Sequence, residues 1–100
     1  MAEIKLPAPL VPLGYEQITS LVASVGLTVP AGAWIADIQA DPTAAVDVRY
    51  RADGTAPEAA IGAAIQSATT QRFIGRALLQ ALRFIEEGAS AKLNVHYYGG

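Results

Sequence analysis

The stretch VDVRYR, residues 46–51, alternates strictly between apolar and charged side chains, and KLNVHYY, residues 92–98, alternates between apolar and polar ones. Period-two alternation with β-branched and aromatic residues is typical of a β-strand that buries one face. The side chains predicted to face the core are Val46, Val48, Tyr50, Leu93, Val95 and Tyr97. The two stretches therefore predict strands of an antiparallel sheet with one solvated face.

Turn signals cut the rest of the chain into segments of several to a dozen residues. The strongest is Asp53-Gly54, a dipeptide that favours tight hairpin turns because its glycine adopts a positive φ without strain. The remaining signals are Gly26, Pro30–Gly32, Asp41-Pro42, Gly62, Gly75 and Gly88. We therefore predict an all-β fold, a compact antiparallel β-sandwich or jelly-roll-like domain of about seven or eight short strands.

The predicted core lies on the apolar sides of these strands. The segment WIADIQ, residues 34–39, is a third candidate strand and would turn Trp34, Ala36 and Ile38 inward. The core residues that we expect are Ile18, Trp34, Ile38, Val48, Tyr50, Phe84, Leu93 and Val95.

One segment favours a different structure. RALLQALRFIEE, residues 76–87, combines good helix formers with apolar residues at helical spacing, and a glycine follows it directly. Its local sequence leaves an α+β alternative open, with a helix around residues 76–87.

Residues 1–14 cannot form a helix, because Pro7, Pro9 and Pro12 remove hydrogen bonds that a helix needs. We expect an extended, proline-rich N-terminal arm over residues 1–14, followed by a single β-sandwich domain over residues 15–100. An extended arm cannot bury apolar side chains within itself. The arm is therefore predicted to lie on a neighbouring subunit, with packing across its own sandwich as the alternative.

Charged residues make up 16% of the 100 residues, against about 25% in an average domain. A surface short of charge often has part of itself covered by a partner. The net charge of −2 argues against a nucleic-acid partner. No apolar run reaches the roughly 18 residues that span a membrane, and without cysteine the chain has no disulfide or thiolate chemistry.

The residue types that carry chemistry do not gather into a recognisable site. His96 is the only histidine, whereas metal sites usually combine several histidine or carboxylate ligands. Asp53-Gly54-Thr55 could open a calcium loop, but Ala56, Pro57 and Ala59 supply no side-chain oxygen where later ligands belong. We expect no enzyme activity, catalytic residue, cofactor or metal, and we interpret Asp53 and Gly54 as a structural turn.

Because no catalytic or metal site is recognisable, we expect the chain to act through contacts with other protein subunits. Apolar arm residues and arginines, which are enriched at interfaces, are the candidates. They are Ile4, Leu6, Leu10, Val11, Leu13, Arg49, Arg51, Arg72 and Arg76. For the arginines, pairing with a nearby acid is the alternative. Trp34, Tyr97 and Tyr98 could instead stack on a sugar ring, so a glycan- or host-surface-binding module is a second possible function.

Four stretches carry a resemblance to a known group. They are VRYRADGTAP at residues 48–57, Gly62, ALRFI at residues 81–85 and ASAKLNVHYY at residues 89–98. In order and spacing they resemble small virion proteins encoded in the structural gene clusters of tailed bacteriophages and prophages. Ala52 departs from that pattern, in which an aspartate is usual, whereas the Asp-Gly turn that follows is intact.

The resemblance implies a compact β-sandwich in which Ala81–Ile85 is a strand after a short turn at Arg76–Gln80. It also implies a structural role in the virion as a capsid decoration, or cement, protein, with a tail-associated role as the alternative. The partners would be further copies of the chain, for example in a trimer, and a major capsid protein. The chain would lie on the capsid surface after a period in the host cytoplasm, bound to neither nucleic acid nor membrane.

Overall fold

Eight strands and one short helix are found in residues 10–58 and 61–100, which are the residues that the computed structural model describes. They are β1 Val11–Ile18, β2 Val25–Gly26, β3 Ile35–Ala40, β4 Val48–Arg51, β5 Ala63–Ile65, β6 Thr70–Ile74, α1 Arg76–Ala81, β7 Arg83–Glu86 and β8 Leu93–Gly99. Sheet I has the strand order β1-β8-β3-β6, and sheet II has the order β2-β7-β4-β5. Every neighbouring pair within the two sheets is antiparallel.

The connections between strands mostly cross from one sheet to the other. Only β4 and β5 follow each other in sequence and also lie side by side in one sheet. The first and last strands are neighbours, since β1 pairs with β8 along its length. This is the strand order of a jelly roll, an eight-stranded double-sheet fold. The prediction of an all-β antiparallel sandwich is confirmed.

The core lies between the two sheets and follows the predicted strand faces. Val48 on β4 and the Leu93, Val95 and Tyr97 side chains on β8 are buried, while their sequence neighbours face outward. Tyr50 of sheet II meets Phe73 of sheet I edge-on, with ring centroids 5.2 Å apart. The largest side chains that are almost completely buried also include Leu21, Ile38, Ile65, Leu79, Leu82 and Phe84. The two sheets are thus held together by one shared apolar layer.

The segment with helical propensity forms both a helix and a strand. Arg76–Ala81 is a helix of six residues, less than two turns, where a short turn was expected. The chain then becomes extended at Leu82, and β7 runs over Arg83–Glu86, two residues later than the predicted strand start. The alternative of a helix over residues 76–87 is wrong, because Phe84 and its neighbours pair with both β2 and β4.

Trp34 is not a core residue, contrary to the sequence-based expectation. Its side chain is 40% exposed, although it has the same strand parity as the buried Ala36 and Ile38. Its carbonyl accepts a hydrogen bond from the Gly75 N–H at 2.7 Å, and its own N–H donates to the Tyr98 carbonyl at 3.0 Å. Gly75 has no side chain, so it leaves the indole partly uncovered on the β6 side at this end of the sandwich.

The first strand begins inside the stretch predicted to be an extended arm. β1 begins at Val11 and pairs with β8 from Val11 onward, so the expected boundary at residues 14/15 falls inside a strand. Pro12 is accommodated because β1 is an edge strand, where a missing N–H leaves no ladder bond unmade. The arm residues Ile4 and Leu6 lie outside the described residues.

Candidate functional site

The exposed large apolar side chains concentrate at one end of sheet I. Five of the eight found in the described residues lie there, and we call them the end patch: Leu10, Val11, Leu13, Trp34 and Ile74. They come from the start of β1, the turn before β3 and the end of β6, three segments that lie at the same end of the sheet. Trp34, 40% exposed, directly precedes β3, and Ile74, 58% exposed, is the last residue of β6.

Glycines bring these segments into contact at the end patch. A Cβ atom on Gly99 would lie 2.5 Å from the Gly32 carbonyl oxygen and 2.7 Å from Leu13 Cδ1, which is closer than real atoms approach. The turn before Trp34 needs Gly32 itself, whose φ is 83°. The register shift between Pro12 and Gly14 places Leu13 as the extra, bulged residue of β1. Close backbone packing therefore pushes the larger apolar side chains to the outside.

Arg76 lies beside the end patch at the start of α1. Its Nη1 donates to the carbonyl oxygens of Pro30 and Ala33, at 2.9 and 3.1 Å. Both acceptors belong to the turn that leads into Trp34. Arg76 therefore holds the turn in place, and its remaining guanidinium N–H groups border the end patch.

The other candidate arginines do not join this surface. Arg49 and Arg51 lie on the outer face of sheet II, where Arg49 pairs with Glu87 at 2.7 Å and Arg51 with Asp53 at 2.5 Å. Arg72 lies on the outer face of sheet I and pairs with Asp37 at 2.7 Å. Exposed ion pairs of this kind contribute little to stability, because solvent screens them. Local pairing thus describes these three arginines.

Asp53 and Gly54 lie in the loop between β4 and β5. Gly54 has a φ of 80°, and the Asp53 carboxylate accepts a hydrogen bond from the Thr55 N–H at 3.2 Å. The hydrogen bond from Arg51 holds the pKa of Asp53 below its usual range. Eleven residues separate β4 from β5 in sequence, more than in the two-residue hairpin that an Asp-Gly pair most often closes.

The outer face of sheet I carries a second group of side chains. Across its strands lie Tyr15, His96, Asp37 and Arg72, in that order. The Tyr15 and His96 rings are 4.7 Å apart, and the Arg72 guanidinium lies 6.0 Å from the centre of the Tyr98 ring. Hydrogen bonding to Arg72 lowers the pKa of Asp37. Ionised together, the pair leaves this face close to neutral.

An amide network continues the same face. The Asn94 amide nitrogen donates to Gln39 and to Asp41, at 3.1 and 3.0 Å, and its oxygen accepts from Tyr15 and Gln17, at 2.8 and 3.0 Å. Asp41 also accepts from the hydroxyl and N–H of Thr43. These hydrogen bonds, led by the one from the Thr43 hydroxyl, lower the pKa of Asp41 to about 2.

Tyr97 cannot serve the sugar-stacking role considered from the sequence. Its ring is buried between the sheets, and its hydroxyl donates to the Glu16 carboxylate. Burial, followed by this hydrogen bond, raises the pKa of Tyr97 well above its usual range. Of the three aromatic residues proposed for stacking, only Trp34 and Tyr98 reach the surface.

Within residues 10–58 and 61–100, no three histidine, aspartate or glutamate side chains come together as they would around a metal ion. The helix found in the same residues is too short to cross a membrane. No protein-family model matches the chain, and no curated protein or solved structure matches it either. We therefore infer the function from the geometry of the protein surface.

Sequence reasoning found part of the end patch and missed the rest. Leu10, Val11 and Leu13 are candidates in the sequence because they are apolar residues of a predicted extended arm, which cannot bury them within itself. Trp34 was assigned to the core, and Ile74 was not singled out. The signal that could have found them is glycine, because Gly32 and Gly75 flank them in sequence and remove the side chains that would otherwise cover them.

Proposed function

We propose that this chain is a non-enzymatic structural protein that acts by binding other protein subunits through the end patch and the N-terminal arm. The observation that carries the proposal is the clustering of five exposed apolar side chains at the place where the arm joins the domain. Large exposed apolar clusters on small proteins mark sites of interaction. The end patch also combines a tryptophan with a nearby arginine, two residue types common at the centres of interfaces.

The end patch alone is a weak binding site. Completing the burial of five half-exposed apolar side chains would contribute on the order of 3–7 kcal/mol. Association of two proteins costs about 4–15 kcal/mol in lost freedom. The apolar side chains of the arm, Ile4 and Leu6, would supply further contact area. Because the gain from burial is close to the cost of association, a stable complex needs several end patches to bind within one assembly rather than one isolated pair of subunits.

The virion role rests on the resemblance of about residues 15–98 to small structural proteins of tailed phages and prophages. A jelly roll is a fold that viral capsid proteins use, which is compatible with that role. We propose that the chain decorates a capsid surface, with copies of itself and a major capsid protein as partners. A tail-associated position is the alternative within the same class.

The test compares two serine variants at exposed apolar side chains. Trp34→Ser removes the largest side chain of the end patch, whereas Val22→Ser changes a side chain that is 80% exposed outside it. We expect Trp34→Ser to weaken self-association and capsid binding at least tenfold, and Val22→Ser to leave both unchanged. Sedimentation velocity and copurification with capsids measure these effects.

A deletion tests the arm separately. Because β1 begins at Val11, the deletion should remove residues 1–9 and leave the strand intact. The truncated chain is expected to keep its melting temperature and to lose assembly. Equal assembly by wild type, the deletion and Trp34→Ser would contradict the proposal.

Binding of a neutral glycan is a second candidate function. The observation that favours it is the outer face of sheet I, where Tyr15, His96 and Tyr98 lie among amide and carboxylate groups with little net charge. Aromatic rings and planar polar groups on one flat face suit a ligand that is rich in hydroxyl groups. Glycan-array binding that is lost in Tyr15→Ala and kept in Trp34→Ser would favour this function over assembly through the end patch.

A further inference from the structure

We propose that an open pocket beside Arg83 binds a carboxylate on a short aliphatic stem, the chemistry of an acidic side chain presented by a partner protein. The pocket has a volume of about 430 Å³ and is lined by Gly26, Leu27, Val29, Gln80 and Arg83. It lies between β2, the end of α1 and the start of β7, on the sheet opposite to the end patch. This inference deepens the proposed function and rests on it for the identity of the partner as a protein.

Arg83 is fixed at the pocket by the backbone. Its Nη1 donates to the carbonyl oxygens of Gln80 and Leu82, at 3.1 and 2.9 Å. One nitrogen is thus occupied with holding the side chain, and the other guanidinium N–H groups remain to face a ligand. A guanidinium held in this way can bind a carboxylate with two parallel hydrogen bonds and little further loss of freedom.

The pocket exists because position 26 is a glycine. Gly26 lies directly opposite Arg83 across β2 and β7, and a Cβ atom there would lie 2.8 Å from the Arg83 Nη1. Any larger residue would displace the guanidinium from its present position. The glycine therefore gives room for the charge at the floor of the pocket.

The local charge balance calls for an anion. On the outer face of sheet II, Arg83 is paired across the strands with Arg51, another arginine. Like charges directly opposite each other destabilise a sheet. Arg51 is neutralised by Asp53 at 2.5 Å, whereas no carboxylate of the described residues lies within 4 Å of Arg83. A bound anion would compensate the remaining positive charge.

The walls of the pocket select the kind of anion. Leu27 and Val29 are partly buried and pack against the core, and the sides that they leave exposed form the smaller, apolar part of a lining that is mostly polar. A compact, strongly hydrated phosphate gains little from these apolar side chains. A carboxylate with an aliphatic stem, as on a glutamate, places its charge on Arg83 and its methylene groups on Leu27 and Val29.

The minimal test titrates the full chain with butyrate, which reproduces the glutamate side chain, and follows the NMR signals of the Gly26 amide and the Arg83 Nε–H at constant ionic strength. We expect saturable shifts with a dissociation constant of about 10 mM, in keeping with a ligand of so few atoms. Butyramide, the neutral analogue, should give no saturable shift. Inorganic phosphate should bind at least tenfold more weakly than butyrate.

Two variants and one control assign the binding to Arg83. Arg83→Gln should weaken butyrate binding at least tenfold, and Gly26→Ala should do the same with all charges kept, because it displaces the guanidinium. Arg49→Gln is the control, since Arg49 is an arginine of the same outer face of sheet II and lies outside the pocket. Butyrate shifts that persist in Arg83→Gln, or equal shifts with butyramide, would overturn the proposal. Tighter binding of phosphate would overturn the assignment of a carboxylate.

A capped peptide with one glutamate between leucines separates a protein partner from a free small acid. Binding of the peptide at least as tight as that of butyrate supports a protein side chain as the occupant, and weaker binding overturns it. The outcome is independent of the end patch, because these titrations need no assembly. Loss of assembly in Trp34→Ser and loss of butyrate binding in Arg83→Gln therefore report on the two proposals separately.

Discussion

The Tyr97 hydroxyl donates a hydrogen bond to the Glu16 carboxylate and so joins the last strand of the fold to the first from the inner side of sheet I. The carboxylate also accepts from the Thr28 N–H at 3.0 Å, which attaches the segment after β2. Three segments that are distant in sequence thus meet at one carboxylate. Since β1 is an edge strand, this contact helps to keep it on the sheet.

Removing the hydroxyl should therefore destabilise the domain. We expect Tyr97→Phe to lower the free energy of unfolding by about 1–3 kcal/mol, because the partly buried Glu16 carboxylate loses its hydroxyl partner. Tyr15→Phe, at a neighbouring position of the same strand pair, removes an exposed hydroxyl that donates to Asn94 and should change the free energy by less than about 0.5 kcal/mol. Urea denaturation measures both, and equal effects would contradict the special role of Tyr97.

The strand faces could be predicted because half-buried strands carry their own pattern. Val48 and Leu93 were assigned to the core from alternation alone, and both are fully buried. The exposure of Trp34 could not be predicted in this way, because it depends on Gly75, which only the pairing of β3 with β6 brings beside it. The local pattern predicts which face of a strand is buried. At the ends of the sandwich, the exposure of a side chain also depends on residues of the neighbouring strands.

The helix and the arm show the same limit. Arg76–Ala81 forms a helix, as its residue types favour. Two residues after the helix ends, the chain is a strand, because Phe84 pairs with Tyr50 of β4. β1 begins at Val11, inside the predicted arm, because pairing with β8 is available to an edge strand even with Pro12 in it. In the candidate site, the arm residues were predictable, whereas the Arg83 pocket depends on the placement of Gly26 opposite Arg83.

Acid should weaken the fold through Asp41. Its pKa is about 2 in the folded chain, against an ordinary value near 4 when unfolded, because Thr43 and Asn94 donate to the ionised carboxylate. As the pH falls, the unfolded chain takes up the proton first. The stabilisation by Asp41 is therefore complete above about pH 4 and is lost progressively between about pH 4 and pH 2.

Asp41→Asn tests this pH dependence. An amide cannot ionise, and its NH₂ group would face other donors, so the variant should be less stable than wild type at neutral pH. The difference in melting temperature between the two proteins should shrink as the pH is lowered from 5 to 2. A difference that stays constant over this range would mean that Asp41 does not contribute the predicted acid sensitivity.

Two glycines in the loop between β4 and β5 form a matched pair. Gly54 and Gly62 both have positive φ, 80° and 129°, but only Gly62 is crowded, since a Cβ atom there would lie 2.7 Å from the Tyr50 carbonyl oxygen. Gly54→Ala should lower the free energy of unfolding by about 1 kcal/mol through backbone strain alone. Gly62→Ala adds a clash with a backbone atom of β4 and should cost about 2–4 kcal/mol. Equal losses in urea denaturation would show that the loop adapts freely around Gly62.

Trp34 is the only tryptophan, so its fluorescence reports directly on the end patch. In a dilute sample of the separated chain, its exposed indole should be readily quenched by acrylamide, unlike a core tryptophan. Raising the concentration, or adding capsids, should protect it, because the proposed interface covers the end patch. The arm deletion supplies the control: it leaves the domain and its Trp34 in place but should abolish the protection. Weak quenching in the dilute sample would contradict the exposed position of Trp34, and protection that does not change while sedimentation shows assembly would move the interface elsewhere.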